Sequence, residues 1–106
     1  MKFRIEYSKR AVRDLKSFST GHQKKIIQET IKLESNPFPS KKKVKRIQGV
    51  KFPCYRLRVE IGDDSLRVFY GIKNEIVLIL RIISKKDADK VLKRIKDSKV
   101  PPEIPN

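Results

Sequence analysis

The sequence predicts an α+β fold in which a helical hairpin packs on one face of a small, mostly antiparallel sheet, in the order β-α-α-β-β-β-α. Three observations predict this class. Apolar and polar residues alternate near the N-terminus and again between residues 55 and 70, as in strands with one buried face. Apolar residues recur at helical spacing over residues 11–33 and again after residue 84. A nearly continuous apolar run spans residues 75–83.

Residues 3–7 alternate between apolar and charged side chains, which predicts the first strand. Ser8 can cap a first helix, and the Ser-Thr-Gly segment at residues 19–21 is expected to end it. A second helix is predicted from about His22 to Ser35. It ends at Asn36-Pro37, because the residue before a proline avoids the helical region. The two helices are expected to form the hairpin.

The sequence pattern in the middle of the chain predicts a basic connector followed by a β-hairpin. Residues 37–53 carry prolines and glycines around a lysine-rich run and have no regular pattern. Residues 55–61 and 66–70 alternate on either side of a turn at Gly62-Asp63-Asp64. One face of this hairpin is apolar, and the other carries arginines.

The C-terminal part predicts a buried strand and a last helix. The run from Glu75 to Ile83 is apolar and β-branched, as expected of a central strand that is covered on both faces. A helix is predicted from Ser84 to Lys96, with Ser84 as its cap. We expect one domain over residues 1–99 and a proline-rich tail over residues 100–106.

The 106-residue chain is strongly basic, with 27 lysines and arginines against 12 acids and a formal charge of +15. Such an imbalance favours an anionic partner, and nucleic acid is the commonest one. The single cysteine, Cys54, excludes an internal disulfide and favours a reducing cytoplasm. The longest apolar run, Ile76–Leu80, is too short to cross a bilayer, so we expect a soluble protein.

Several classes of enzyme are not supported by the sequence. It has no phosphate-binding glycine loop and no cluster of His and Cys at metal-ligand spacing, so no metal or cofactor is expected. His22 has no carboxylate near it in sequence, and Cys54 is expected to be a small buried residue. Neither is expected to act in catalysis.

Three arginines, Arg56, Arg58 and Arg67, are the strongest candidates for a functional site. Arg56 and Arg58 lie two apart and project from the same face of their strand, and Arg67 lies beside them if the predicted turn closes the hairpin. Neighbouring like charges destabilise a sheet unless an anion or carboxylate lies between them, and Glu60 is the only strand acid on that face. Arginine binds phosphate through its planar fork but cannot act as a general base. The cluster is expected to bind a phosphate; the alternative is a solvated sheet face.

A second basic group is predicted to follow an RNA backbone, the alternative being a solvated loop. Its members are Lys41, Lys42, Lys43, Lys45, Arg46 and Lys51. Phe69 shares the phase of the strand arginines and is expected to stack on a base. Tyr55 and Tyr70 lie in phase with apolar residues and are expected in the core.

Five segments of the chain match the pattern of a known superfamily in the same order. They are YSKRAVRDLKSF, LESNPFP, RIQGV, CYRLRVEIGDDSLRVFYGI and EIVLILRIISKKD. Over roughly residues 3–95, the chain resembles the RelE/ParE superfamily of toxins from bacterial and archaeal toxin–antitoxin pairs. In the RelE branch this resemblance implies an mRNA endonuclease that cuts in the ribosomal A site and that a cognate antitoxin neutralises.

The resemblance also implies roles for individual residues. The basic pair of the superfamily falls on Arg56 and Arg58, its third-strand arginine on Arg67, and the basic residue after its last strand on Lys85 or Lys86.

This chain departs from the superfamily pattern in two respects. RelE enzymes often have lysine at the positions of the basic pair, and many carry a tyrosine after the last strand, whereas no tyrosine follows Tyr70 here. The group that moves the proton therefore stays open between Lys85, Lys86 and Asp89.

RNA cleavage by its own 2′-hydroxyl needs a base, positive charge at the phosphate and an acid for the leaving oxygen, but no metal. The leading interpretation is a metal-independent endoribonuclease that inhibits translation, with mRNA, the ribosome and an acidic antitoxin as partners. No membrane or small-molecule cofactor is expected. A ParE-like inhibitor of DNA gyrase and an RNA-binding relative without catalysis are the alternatives.

Overall fold

The chain folds around one five-stranded sheet in the computed structural model, which describes residues 2–40 and 43–97. The helices and strands, in chain order, are β1 Arg4–Tyr7, α1 Lys9–Lys16, α2 Thr20–Ile31, a 3-10 turn Lys32–Glu34, β2 Val44–Arg46, β3 Cys54–Ile61, β4 Asp64–Lys73, β5 Ile76–Ser84, a 3-10 turn Lys85–Asp87 and α3 Ala88–Lys96. The strand order is β1-β5-β4-β3-β2. β1 runs parallel to β5, and the other neighbours are antiparallel. The predicted α+β class is confirmed.

The N-terminal helical hairpin forms as predicted, but its connection is placed differently. Ser8 caps α1, because its Oγ accepts a hydrogen bond from the Ala11 N–H at 3.0 Å. Ser19 Oγ accepts one from the His22 N–H at 3.3 Å and so caps α2, which begins at Thr20. Residues 19–21 therefore start the second helix instead of ending the first, which already ends at Lys16.

The connector contains a short strand that the sequence did not predict. β2 pairs with β3, with Val44 opposite Leu57 and Lys45 opposite Arg56. Val44 is buried, whereas Lys45 and Arg46 are exposed. Three residues are too few to show an alternating pattern, which is why the connector looked irregular.

The turn between β3 and β4 has two residues, because Asp64 already pairs with Ile61. Gly62 has a φ of +59°, a conformation that glycine adopts without steric cost. This two-residue turn sets the register of the hairpin, and that register places the arginines opposite one another.

Both faces of the sheet carry an apolar cluster. The helical hairpin covers the first face, where Tyr55, Val68 and Tyr70 are buried with Val77 and Ile79 of β5. The second face is covered by α3 and residues 47–52, and its buried strand residues include Cys54, Phe69, Leu78, Leu80 and Ile83. β5 contributes to both clusters, as predicted for a strand covered on both faces.

The second layer covers only one end of its face. Beyond Cys54 along β3, the residues on the same face are Arg56, Arg58 and Glu60. On β4 the matching residue is Arg67. The fold thus divides one sheet face into an apolar end under α3 and a charged end beside it.

No helix in residues 2–40 and 43–97 is both long and apolar enough to cross a membrane. The proline-rich tail predicted at residues 100–106 lies outside the described residues.

Candidate functional site

The strand register brings four cations together on the charged end of the sheet. Arg58 pairs directly with Arg67 across β3 and β4, and Lys45 pairs directly with Arg56 across β2 and β3. Directly opposed residues share a face, so Lys45, Arg56, Arg58 and Arg67 form one surface, here called the basic strand face. The convergence of the three arginines that the alternation predicts is present, and β2 adds a lysine to it.

One carboxylate lies on the basic strand face. Glu60 Oε1 is 3.2 Å from Arg58 Nε and 4.0 Å from Arg67 Nη1, and it accepts a hydrogen bond from Ser65 Oγ at 3.0 Å. Arg67 Nη1 in turn donates to Ser65 Oγ at 2.7 Å. Glu60 therefore offsets part of the positive charge, but four cations share it.

Arg67 is the most deeply buried of the four cations on the basic strand face. Its side chain is only 7% exposed. Burial lowers the pKa of Arg67, the charge of Arg56 and Arg58 lowers it further, and Glu60 acts in the opposite direction. A buried guanidinium with like charges beside it costs free energy, and a bound anion would offset that cost.

Arg56 shows a related feature. Its Nε is buried and has no hydrogen-bond partner among the described residues. A buried N–H donor without a partner is uncommon in folded proteins. The basic strand face thus combines opposed like charges with an unmatched donor, as expected of a surface built to hold a phosphate.

An open groove adjoins this face at the end of the hairpin. Its lining residues come from the β3–β4 turn, the start of β4, the end of β5 and the segment after it: Asp63, Asp64, Ser65, Ser84, Lys85, Lys86 and Asp89. Ser65 belongs to both places, since it lines the groove and bonds Arg67 and Glu60. Lys85 and Lys86 are exposed in the 3-10 turn after β5 and so lie along a groove that leads to the arginines.

His22 has a partner that is distant in sequence. Its Nε2 lies 2.9 Å from Asp64 Oδ2, and its Nδ1 lies 3.1 Å from Ser19 Oγ. The pair ties the start of α2 to the first residue of β4. Sequence reasoning missed this contact because 42 residues separate the partners.

The residues of the predicted RNA-binding connector lie in different environments. Lys43 is held by Glu29 of α2, with Nζ 3.2 Å from Oε1. Lys45 lies on the basic strand face, and Arg46 and Lys51 are exposed. Lys41 and Lys42 lie outside the described residues.

Glu29 has a side chain that is only 5% exposed and is bonded by three lysines: Lys32 at 2.8 Å, Lys43 at 3.2 Å and Lys25 at 3.6 Å. Burial acts to raise the pKa of Glu29, but the hydrogen bonds and charges of Lys32 and Lys43 outweigh it and lower the pKa. This cluster fastens the connector to α2.

Phe69 does not have the geometry for the base-stacking role expected of it. It is 1% exposed and packs in the cluster under α3. Phe69 does lie on the same face of the sheet as the arginines, but at the end of that face that α3 covers. The prediction was wrong because alternation gives the face of a residue and not what packs over it.

Tyr55, Tyr70 and Cys54 lie in the core as predicted. The two tyrosine rings stack with centroids 5.6 Å apart, and Tyr70 Oη donates to the Pro37 carbonyl at 2.6 Å. Burial raises the pKa of the Cys54 thiol to about 12, so the thiol stays protonated. In residues 2–40 and 43–97 no three His, Cys, Asp or Glu side chains group closely enough to hold a metal ion.

Comparison with known proteins assigns this helical hairpin and sheet, with its basic strand face, to the RelE/ParE superfamily of toxins. The chain belongs to the ParE toxin family of type II toxin–antitoxin systems (parDE), whose family model matches residues 5–89. Over 89 residues it is 33% identical to RelE1 of Methanocaldococcus jannaschii, a protein named as a toxin, and the match covers 82% of this chain and 93% of that protein.

Solved structures show the same fold. A mutant of the E. coli toxin RelE in the free state has a TM-score of 0.67 at 14% identity, covering 90% of this chain and 99% of that one. A chain of the archaeal RelE–RelB complex from Pyrococcus horikoshii OT3 has a TM-score of 0.62 at 26% identity, covering 80% and 97%. The predicted superfamily is therefore confirmed.

Proposed function

We propose that this toxin is a ribosome-dependent mRNA endonuclease that inhibits translation. The observation that carries the proposal is the direct pairing of Arg58 with Arg67 beside the pairing of Lys45 with Arg56. A surface of opposed cations with one carboxylate is suited to an anion that carries several oxygens, such as a phosphodiester.

The arginines supply binding and charge stabilisation. When the 2′-oxygen attacks the neighbouring phosphorus, negative charge grows on the phosphate oxygens, and fixed guanidinium groups stabilise it more strongly than they stabilise the bound mRNA. We assign Arg56, Arg58 and Arg67 to this clamp. Lys85 and Lys86 lie on the adjoining groove, where an ammonium can give a proton to the leaving 5′-oxygen.

The exposed cations of the connector extend the surface along the RNA backbone. We assign this role to Lys45, Arg46 and Lys51, and to Lys41 and Lys42 of the same run. These contacts are independent of sequence and depend strongly on salt. Such a target places the activity in the cytoplasm, where ribosomes translate mRNA.

The partner that controls the toxin is proposed to be an acidic antitoxin. Toxins related to this chain were solved in complexes with RelB from P. horikoshii and from E. coli. A formal charge of +15 favours a negatively charged protein partner in the same way as it favours RNA.

Cell-free translation with the purified toxin tests the proposal. The 5′ ends of the mRNA are mapped by primer extension for the wild type, for Arg67→Ala and for Arg10→Ala, which removes an exposed cation of α1. We expect new ends with the wild type and Arg10→Ala, and about 100-fold fewer with Arg67→Ala. Since Arg67 is buried, Arg58→Ala is tested beside it, with thermal unfolding of each variant.

A second candidate is inhibition of DNA gyrase, which is favoured by the match to the ParE family model. The same preparations are assayed for supercoiling of relaxed plasmid by gyrase. Intact mRNA together with blocked supercoiling would contradict the endonuclease and support the gyrase inhibitor. Intact mRNA with normal supercoiling, but salt-dependent RNA binding, would support the RNA-binding relative without catalysis.

A further inference from the structure

Glu60 lies within the arginine cluster, and the proposed function gives it no role. All three of its polar contacts are made by one oxygen, Oε1, which meets Arg58, Arg67 and Ser65. The side chain is 53% exposed, so its carboxylate is open to a ligand on the basic strand face. A carboxylate that served only to neutralise Arg67 would be expected closer than 4.0 Å and less exposed.

The reaction itself requires a base at this place. A 2′-oxygen in position to attack lies about 3 Å from the phosphorus, so the group that takes its proton must adjoin the groups that hold the phosphate. Arginine cannot take the proton. Lys85 and Lys86 line the adjoining groove, where the proposed function gives an ammonium the opposite role of proton donor. Among the described residues, Glu60 is the carboxylate that contacts Arg58 and Arg67.

We infer that Glu60 is the general base that activates the 2′-hydroxyl of the mRNA, an inference that rests on the proposed function. Its carboxylate takes the hydroxyl proton as the 2′-oxygen forms a bond to phosphorus. The bond from phosphorus to the 5′-oxygen breaks, and that oxygen takes a proton from an ammonium on the groove. The products are a 2′,3′-cyclic phosphate and a free 5′-hydroxyl; Glu60 then returns its proton to solvent, and the amine on the groove takes up a proton to become an ammonium again.

The contacts of Glu60 couple this proton transfer to phosphate binding. When Glu60 gains a proton it loses its charge, and its attraction for Arg58 and Arg67 weakens. The positive charge of both guanidinium groups is then offset less by Glu60 and acts more strongly on the phosphate as its negative charge grows. Ser65 holds Glu60 and Arg67 at fixed positions during this exchange, because its Oγ bonds both.

Other charged groups face Glu60 from outside the hairpin. Lys25 and Glu29 of α2 and Lys43 of the connector line a pocket together with Arg58 and Glu60. Glu29 offsets one of the two lysines, so one net positive charge of this group faces Glu60 in addition to Arg58 and Arg67.

The test is Glu60→Gln in the translation reaction, measured both as the rate of mRNA cleavage at neutral pH and as the affinity for mRNA. The matched control is Glu75→Gln, an exposed glutamate in the turn between β4 and β5. We expect Glu60→Gln to cleave at least about 100-fold more slowly than the wild type and to bind mRNA at least as tightly. Glu60→Asp keeps the carboxylate and is expected to retain cleavage at a lower rate. Thermal unfolding shows that the variants fold.

Two outcomes overturn the inference while the proposed function stands. One is cleavage by Glu60→Gln within about threefold of the wild type, since a general base contributes about 100-fold or more. The other is loss of cleavage together with loss of mRNA binding, which would make Glu60 a residue that only positions the arginines. If the wild type itself leaves mRNA intact, the proposed function is wrong and the role of Glu60 falls with it.

Discussion

Two glutamates of this toxin are each surrounded by cations, and they differ in which partner is buried. At Glu29 the acid is 5% exposed, while Lys32 and Lys43 are 65% and 63% exposed. At Glu60 the acid is 53% exposed, while Arg67 is 7% exposed. The pKa of Glu29 is lowered, so the fold favours its charged form, whereas the pKa of Arg67 is lowered by burial and by neighbouring arginines, so the fold disfavours its charge. The charges of the first cluster are therefore balanced within the protein, and we propose that a bound phosphate balances those of the second.

The difference follows from the elements that carry the residues. Glu29 lies on a helix surface, and lysines reach it with long flexible stems that keep their contact with water. Arg67 lies on β4, an interior strand, directly opposite Arg58, and its guanidinium has no such freedom. A buried acid with exposed lysines fastens two elements together. A buried cation with cations beside it is the arrangement that we propose binds the phosphate.

The largest expected effect comes from Arg67→Met, which keeps an unbranched side chain, although a shorter one, and removes its charge. We expect mRNA cleavage to fall about 100- to 1,000-fold, because one guanidinium at the phosphate is lost. The free energy of unfolding should stay within about 1 kcal/mol of the wild type, since relief of repulsion offsets the lost bonds to Ser65 and the Leu66 carbonyl. Primer extension and urea denaturation measure the two quantities. If Arg67→Met cleaved mRNA normally but was less stable, Arg67 would have a structural role like that of Glu29, and the difference between the two clusters would not hold.

Glu29→Gln is expected to have the opposite profile. It removes a buried charge that accepts hydrogen bonds from Lys32 and Lys43 and forms an ion pair with Lys25, and we expect the free energy of unfolding to fall by about 1–3 kcal/mol in urea. Cleavage should be nearly unchanged after correction for the folded fraction. Glu75→Gln serves as the exposed control and should change stability by less than about 0.5 kcal/mol.

The lowered pKa of Glu29 predicts how the stability of the fold changes with pH. The pKa of Glu29 in the folded protein lies below its ordinary value of 4.5, so Glu29 stabilises the fold above that pH. This contribution is lost as the pH falls through the lowered pKa. The stability difference between the wild type and Glu29→Gln should therefore be full near pH 6 and shrink below about pH 4.5. A difference that stays constant down to pH 3 would show that the charge of Glu29 contributes nothing.

The sequence predicted the arginine cluster well because the relevant rule is local. A strand has a period of two, so Arg56 and Arg58 share a face in any fold that keeps the strand, and a short turn brings Arg67 beside them. The same rule placed Tyr55 and Tyr70 in the core. The helical hairpin followed from capping serines and apolar spacing, although the cap at Ser19 was assigned to the wrong helix end.

Other features depend on contacts that no local pattern contains. Phe69 belongs to the apolar cluster under α3, whereas Arg67 on the same face of β4 bonds Ser65 and lies near Glu60. Asp64 meets His22 across 42 residues, and Lys43 meets Glu29 across 14. These pairings arise from tertiary packing, and they decide which charges are satisfied and which remain for a ligand.

The smallest expected effect uses inorganic phosphate as a probe of the basic strand face. A ligand that binds only the folded state stabilises it by about 1 kcal/mol at five times its dissociation constant. We expect phosphate to raise the melting temperature of the wild type above that in chloride of equal ionic strength. Lys32→Ala, which removes a cation from the Glu29 cluster, should keep this increment, whereas Arg58→Ala should lose most of it. If phosphate raised the melting temperature of all three proteins equally, it would be acting on the overall positive charge. The basic strand face would then not bind anions better than the Glu29 cluster.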